Sequence, residues 1–158
     1  MTVVQGRNRV SSISLAPGAP RSSPYIVTTT NPVIVRTETV AGLAQGDYIV
    51  SLVGSYNRNV TDSEGGWYLS LGAGSVAPVV GCVARVKGAN NQGLNPVTGV
   101  IDGDPVPGTG SGKEHTLAIN HTFTHPGGDL TVNICVVSKT VGDETSLWND
   151  ILTLEKID

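Results

Sequence analysis

Aromatic and charged residues are both scarce in this chain of 158 residues. Only seven side chains are aromatic: two Trp, four Tyr and one Phe. Charged residues make up 15 % of the chain, compared with about 25 % in ordinary soluble domains. A surface poor in Lys and Glu is less costly to desolvate, which suits a protein whose surface is covered by neighbours. The 39 % of hydrophobic residues excludes a disordered chain and is enough for one domain with its own core.

Long apolar runs and cysteines are also few. The longest weakly polar stretch, residues 75–86, is shorter than the ~20 residues that span a bilayer, and the first ten residues lack the apolar centre of a signal peptide. We therefore expect synthesis in a cytoplasm and no membrane partner. Cys82 and Cys135 could form a disulfide only if their Cα atoms came within about 7 Å. Because that compartment is reducing, both are expected to be free thiols.

The few charges are unevenly distributed. Up to residue 40 there are four arginines and one glutamate, a net charge of +3, whereas the remainder holds six basic and twelve acidic residues. Three prolines in residues 16–24 favour an extended connector. We interpret residues 1–24 as an extended N-terminal arm in which Arg7, Arg9 and Arg21 dock on an acidic partner, with a solvated tail as the alternative. So small a positive charge argues against a nucleic-acid partner.

Residues 25–158 show the pattern of an all-β domain. In residues 46–56, Tyr48, Val50 and Leu52 fall on one side of the pleat and Ser51 on the other. Comparable alternation predicts strands within residues 25–30, 32–40, 67–71, 76–86, 113–125, 129–138 and 150–157. The run at 88–112 is rich in Gly, Pro and Asn and predicts a long loop. No 3.6-residue apolar repeat is sustained, so we expect about eight strands in an antiparallel sandwich and little helix.

The order of three motifs resembles a known family. GDYIVSLVGSY, HTFTHPGGDLTVNICV and LWNDILTLEKI are similar, in that order, to the central, paired and closing strands of carbohydrate-binding-module-like jelly rolls, over roughly residues 40–158. The resemblance implies an antiparallel jelly-roll β-sandwich. A jelly roll with few charges and a Pro-rich arm also resembles bacteriophage virion proteins, particularly the decoration proteins that bind capsids as trimers.

Two kinds of ligand follow from the first resemblance. Sugar-binding members present aromatic rings, for which Tyr56, Trp67 and Tyr68 are the candidates, although most of the seven aromatics are expected in the core. The family often carries a structural calcium, for which Asp102 and Asp104 are weak candidates, as are Asp62 and Glu64, because calcium takes six to eight oxygen ligands. The alternative for these acids is a polar turn.

Catalytic constellations are not recognisable in the sequence. His115, His121 and His125 share one strand face, but the first two lie ~20 Å apart at ~3.3 Å per residue, too far for one metal ion. No phosphate-binding loop, dinucleotide fingerprint or nucleophile elbow occurs. We therefore expect no enzymatic activity, no metal and no required cofactor.

Together these observations favour a non-enzymatic bacteriophage structural protein. The expectation is a capsid decoration protein, present as a homotrimer on the virion surface, that binds the major capsid protein and its own copies. The alternatives are a carbohydrate-binding module that recognises glycans through an aromatic face or the 88–112 loop, and the coat protein of a small virus. The weakly basic arm argues against the coat protein, because genome neutralisation requires more Arg and Lys.

Overall fold

Strands account for all regular structure in the part of the chain that the structure describes. The computed structural model describes residues 11–58, 64–85, 90–93, 106–107, 115–138, 141–142 and 144–157. These residues form eleven strands: β1 (Ser11–Ser14), β2 (Tyr25–Val27), β3 (Val33–Leu43), β4 (Gly46–Arg58), β5 (Glu64–Leu71), β6 (Val80–Arg85), β7 (Asn90–Gly93), β8 (Val106–Pro107), β9 (His115–His125), β10 (Gly128–Ser138) and β11 (Thr145–Ile157). No described segment is a helix long and apolar enough to cross a membrane.

The strands form two antiparallel sheets that pack as a jelly-roll sandwich. In the first sheet β9, β4 and β11 are neighbours, and β1 and β2 both pair with the other side of β11. The second sheet has the order β3-β10-β5-β6-β7-β8. Successive long strands alternate between the sheets: β3, β5 and β10 are in the second, and β4, β9 and β11 are in the first. The predicted fold class is confirmed.

The core lies between the sheets, where the alternation in the sequence places it. The inward side chains of β4, β5, β10 and β11 are fully or almost fully buried: Tyr48, Val50, Leu52, Tyr56, Trp67, Leu69, Leu130, Val132, Ile134, Val136, Leu147, Leu152 and Leu154. Because side chains two residues apart share a face of a strand, this list reproduces the predicted inward faces.

Three local predictions differ from the structure. The strand predicted within residues 76–86 begins only at Val80, because Pro78 has no N–H to donate and residues 72–79 form a loop instead. The predicted loop at 88–112 contains the two short strands β7 and β8. The predicted N-terminal arm contains β1.

Residues 11–27 form one interrupted edge strand along β11. Ser11 to Ser14 pair with Lys156 to Thr153, and Tyr25 to Val27 pair with Leu147 to Thr145, both antiparallel. We name residues 11–20 the N-terminal strap. The strap therefore lies on the sandwich of its own chain, and the docking of Arg7, Arg9 and Arg21 on an acidic partner stays a prediction. Arg7 and Arg9 are outside the described residues.

Candidate functional site

The middle of β11 departs from regular strand geometry. Its pairing with β4 shifts register between Trp148 and Ile151, and Asn149 has a φ of 50°. Asn tolerates this left-handed conformation better than most residues that have a Cβ atom. The bulge turns the Asp150 side chain into the protein, where the residue is 1 % exposed.

The strap binds this bulge through backbone hydrogen bonds. Leu15 N donates to Leu152 O at 3.1 Å and Gly18 N donates to Asp150 O at 3.1 Å. Asn149 N donates to Ala19 O at 2.7 Å. A shallow, mainly apolar cleft of about 360 Å³ lies beside these contacts, with Pro17, Pro20 and Ile151 in its walls.

A buried ion pair joins the strap to both sheets. Arg36 of β3 donates through Nη1 to Asp150 Oδ2 at 2.8 Å, and Ala19 N donates to Asp150 Oδ1 at 2.9 Å. The two charged side chains are 5 % and 0 % exposed. Arg36 Nε also donates to Glu38 at 3.0 Å. We name Gly18, Ala19, Arg36 and Asp150 the clasp.

The electrostatics of the clasp follow from burial and from the opposed charges. Burial by itself would lower the pKa of Arg36, but its hydrogen bonds to Asp150 and Glu38 keep that pKa above the ordinary value. Burial, followed by the negative charge of Asp150, raises the pKa of Tyr25. The buried contacts of Arg36 and Ala19 with Asp150 join the two sheets and the strap.

The outer face of the second sheet is covered by residues 72–79. Asn133 Nδ2 donates to Gly72 O at 2.7 Å and to Ser75 O at 3.2 Å. Tyr68 Oη donates to Val76 O at 2.6 Å. Beneath this loop Tyr68 and Cys135 form a small second core. Burial raises the pKa values of both the Tyr68 phenol and the Cys135 thiol.

The three candidate sugar-binding aromatics are buried. Tyr56, Trp67 and Tyr68 are 2 %, 0 % and 2 % exposed. Tyr56 and Trp67 pack against each other in the main core with ring centroids 4.4 Å apart, and Trp67 Nε1 donates to Ser146 O. A sugar stacks on an exposed ring face, and these three rings present none, so the position of these side chains does not support the predicted sugar platform.

His121 and His125 contribute to packing, and the His115 side chain lies outside what the structure describes. His121 stacks on Phe123 with centroids 6.0 Å apart, and burial lowers its pKa. His125 lies edge-on to Tyr48 and its Nε2 is 3.1 Å from Gly128 O. Among the described residues no three His, Cys, Asp or Glu side chains are grouped closely enough to hold a metal ion. The calcium candidates Asp102 and Asp104, together with Asp62 and the Glu64 side chain, lie outside what the structure describes.

The cysteine prediction is confirmed for Cys135, which is a buried free thiol. The reason is visible in the strand order. Cys135 is on β10 and Cys82 is on β6, with β5 between them. Strands two positions apart are separated by about 9.6 Å, which exceeds the Cα separation of a disulfide.

The outer face of the first sheet is the remaining candidate site. It consists of the outward side chains of β2, β4, β9 and β11, namely Ile26, Asp47, Ile49, Ser51, Val53, Ala118, Asn120, Thr122, Thr124, Ile151, Thr153, Glu155 and Ile157. Ile26, Val53 and Ile151 are 53 %, 43 % and 56 % exposed. The sequence signal for part of this face is that β11 is apolar on both sides, with Ile151 and Ile157 on the side opposite Leu152 and Leu154. Arg21 is exposed and lies outside the face.

Comparisons with known proteins show the fold and no family. No protein-family model matches the chain, and no curated protein is significantly similar to it in sequence. Similar solved structures include the Eiger TNF from S. frugiperda, at a TM-score of 0.49 and 15 % identity over 96 % of this chain and 94 % of that one. They also include chains from infectious bursal disease virus.

The virus chains contain this fold as one part. The Gx strain chain has a TM-score of 0.50 and 12 % identity, and the Gt strain chain has 0.52 and 11 %. Each match covers 96 % of this chain but only 32 % and 34 % of the virus chains. This protein therefore spans about a third of their length, and at such low identity the likeness concerns the fold alone.

Proposed function

We propose that this protein is a non-enzymatic structural protein of a bacteriophage virion, a capsid decoration protein that binds the major capsid protein and its own copies as a homotrimer. The observation that carries the proposal is the outer face of the first sheet, where aliphatic side chains remain exposed on a chain with few charges. Such a surface gains free energy when a partner covers it.

The buried polar groups support a structural role. Arg36 and Asp150 are neutralised by each other and hold the strap, and Asn133 holds the loop over the second sheet. Each of these groups has a role in maintaining the fold. The jelly-roll fold, found also in chains of infectious bursal disease virus, supports a virion location.

The proposed action is stabilisation by binding. A ligand that binds the assembled capsid lattice and not its dissociated subunits stabilises the lattice by mass action, without any chemical step. Apolar area removed from water contributes roughly 25 cal/mol per Å². The free energy that each bound copy contributes to the lattice therefore rises with the apolar area that it covers, and the contributions of many copies add up over the lattice.

The role assigned to the arm changes with the structure. Because residues 11–20 bind their own β11, we assign partner binding to the sheet face. The aromatic-face form of the carbohydrate-binding alternative has no supporting observation, since its three candidate rings are buried, and most of the 88–112 loop lies outside the described residues.

Cosedimentation tests the proposal. The purified protein is mixed with empty shells assembled from the major capsid protein encoded in the same genome, and the shells are pelleted and heated. Saturable binding and a raised temperature of shell disruption are expected. An unrelated jelly-roll protein of similar size is the control. Protein that stays in the supernatant at concentrations well above those of the shells would refute the proposal.

A further inference from the structure

Exposed aliphatic side chains are concentrated on one side of the molecule. Seven large hydrophobic side chains are exposed among the described residues, and four of them lie on the outer face of the first sheet: Ile26, Val53, Ile151 and Ile157. The other three, Val33, Val76 and Val141, are dispersed over β3, the loop at 72–79 and the turn before β11. Dispersed apolar residues are ordinary on a protein surface, whereas a contiguous group indicates an interaction site.

The strand register brings two of these residues, Val53 and Ile151, together, while Ile26 and Ile157 lie towards the two ends of the face. Val53 is directly opposite Ile151 on β11 and Ala118 on β9, so three apolar side chains form a row across three strands. The adjoining row consists of Ser51, Thr153 and Asn120 and is polar but uncharged. Neighbouring strands are ~4.8 Å apart, so each row is a continuous strip.

Charge is confined to one end of the face. Its only charged residues are Asp47 and Glu155, and none is basic. Asp47 and Val53 are on the same strand six residues apart, which corresponds to ~20 Å at ~3.3 Å per residue. The arrangement matches that of protein interfaces, in which charged residues are depleted at the centre and remain at the rim.

The second sheet has apolar outward side chains that are covered by a loop of the same chain. Its outer side chains Tyr68 and Cys135 are buried beneath residues 72–79, which are held by Asn133. The aliphatic row of the first sheet has no such cover, as its exposure shows.

We infer that the outer face of the first sheet is the surface through which copies of this chain associate, with Val53 and Ile151 at the centre of the contact. The inference rests on the proposed function, in which copies of this chain bind one another on a virion. It names the surface that the copies use.

The charge and the area of the outer face indicate that its binding partner is a second copy of this chain. A face without basic residues offers nothing to the phosphates of a nucleic acid or of an anionic membrane. An uncharged aliphatic row loses no charge solvation when a neighbouring copy covers it, and the acidic ends can remain at the rim. The eleven paired residues of β9, β4 and β11 span roughly 14 by 36 Å, about 500 Å² in projection, and the short strands β1 and β2 extend this area along one edge. Stable complexes bury ~800 Å² per partner.

Light scattering of the full-length protein tests the inference. At about 100 µM, a usual concentration for resolving micromolar association, we expect the wild type to exceed the monomer mass of 16.3 kDa. The double variant Val53→Asp/Ile151→Asp should have the mass of a monomer, because its dissociation constant should rise at least tenfold. Val76→Asp is the matched control, because Val76 is also 43 % exposed but lies on the opposite side of the molecule. It should leave the mass unchanged.

A second, milder double variant distinguishes loss of association from misfolding. Val53→Thr/Ile151→Thr keeps the β-branched shape that strands favour while removing apolar surface, and thermal unfolding reports whether each variant is folded. A folded threonine variant that dissociates more readily than the wild type supports the inference. A monomeric wild type, or folded variants that associate as the wild type does, would overturn it.

The inference and the proposed function can fail separately. Copies that associate through this face but do not bind capsid shells would leave the inference standing and refute the decoration role. A monomeric protein that binds and stabilises shells would overturn the inference and the homotrimer but leave the decoration role standing.

Discussion

Asp150 has no freedom to exchange partners, because Arg36 and the backbone of Ala19 occupy its two carboxylate oxygens. Its side chain is 0 % exposed, whereas that of Glu38, the second acid beside Arg36, is 24 % exposed. Both acids contact the same guanidinium. The difference in burial makes them a matched pair for measuring what the clasp contributes to stability.

We expect Asp150→Asn to lower the free energy of unfolding by about 3–5 kcal/mol, the usual cost of leaving one buried charge without its partner. Glu38→Gln should cost less than about 1 kcal/mol, because solvent screens a more exposed pair. Urea denaturation of the two variants measures the difference. Equal losses would show that burial does not distinguish the two contacts.

The Cys135 thiol should be unreactive in the folded protein. It is fully buried and burial raises its pKa, so little thiolate forms and reagents cannot reach it. With Cys82→Ser, which leaves Cys135 as the only thiol, we expect a thiol-specific reagent at neutral pH to react only after denaturant is added. Rapid labelling of the native protein would contradict the packing of Tyr68 and Cys135 beneath the 72–79 loop.

His121 should make stability depend on pH. Burial lowers its pKa in the folded state, so as the pH falls below its ordinary value of about 6.5 the unfolded chain binds the proton first. The contribution is fully present above that pH and is lost as the pH falls towards the lower folded-state pKa. Chemical denaturation at pH 7.5 and 5.5 should show a larger loss for wild type than for His121→Gln. Identical losses would exclude this residue as the cause.

At the scale of elements, the strap is the part whose position differs most from expectation. Its prolines indicated an extended segment, and residues 11–19 are indeed extended, but on β11 of the same chain. The attachment leaves little space: a Cβ atom added to Gly18 would lie 1.7 Å from Asp150 Oδ1. A single methyl group should therefore disturb the clasp.

Removing residues 1–20 should destabilise the sandwich and not only its assembly. The truncated chain loses the strap hydrogen bonds and leaves Asp150 with one fewer donor, so we expect faster hydrogen exchange at Asn149 to Leu152 and a lower melting temperature.

Gly18→Ala should reproduce part of the effect of the truncation, because the added methyl group overpacks the clasp at a cost of about 1–3 kcal/mol. Ala16→Ser, at an exposed position of the strap, is the control. Unchanged exchange in the truncated protein would mean that the strap is not bound in solution.

At the scale of the whole molecule, two modes of association make opposite predictions about salt. Docking of a basic arm on an acidic surface would weaken as the ionic strength rises, because screening shortens the Debye length to about 3 Å at 1 M. Association through an uncharged aliphatic face would be nearly independent of salt.

We therefore expect the wild-type mass from light scattering to be the same at 50 mM and 500 mM sodium chloride, concentrations over which the Debye length falls roughly threefold. Arg7→Ala/Arg9→Ala, which removes two positive charges, should leave that mass unchanged. Dissociation in high salt, or upon loss of these two arginines, would show that the copies associate through the basic arm and not through the sheet face.

The sequence by itself determined the strands and their faces. The alternation of Tyr48, Val50 and Leu52 with Ser51, and that of Val132, Ile134 and Val136 with Asn133, is a local property with a period of two residues. It therefore predicts which side of each strand is buried without knowledge of its neighbours. About eight strands were predicted, and the additional ones are short and depend on pairing partners for their existence.

The tertiary structure alone decided which outer faces are covered. Tyr68 is on the side of its strand opposite the core, yet it is buried by a loop, whereas Val53 occupies the equivalent side of the other sheet and is exposed. Likewise Arg36 and Asp150 are 114 residues apart in the chain. Contacts between distant segments have no period in the sequence, because they depend on where folding brings each segment, and so the clasp and the exposed face could be found only in three dimensions.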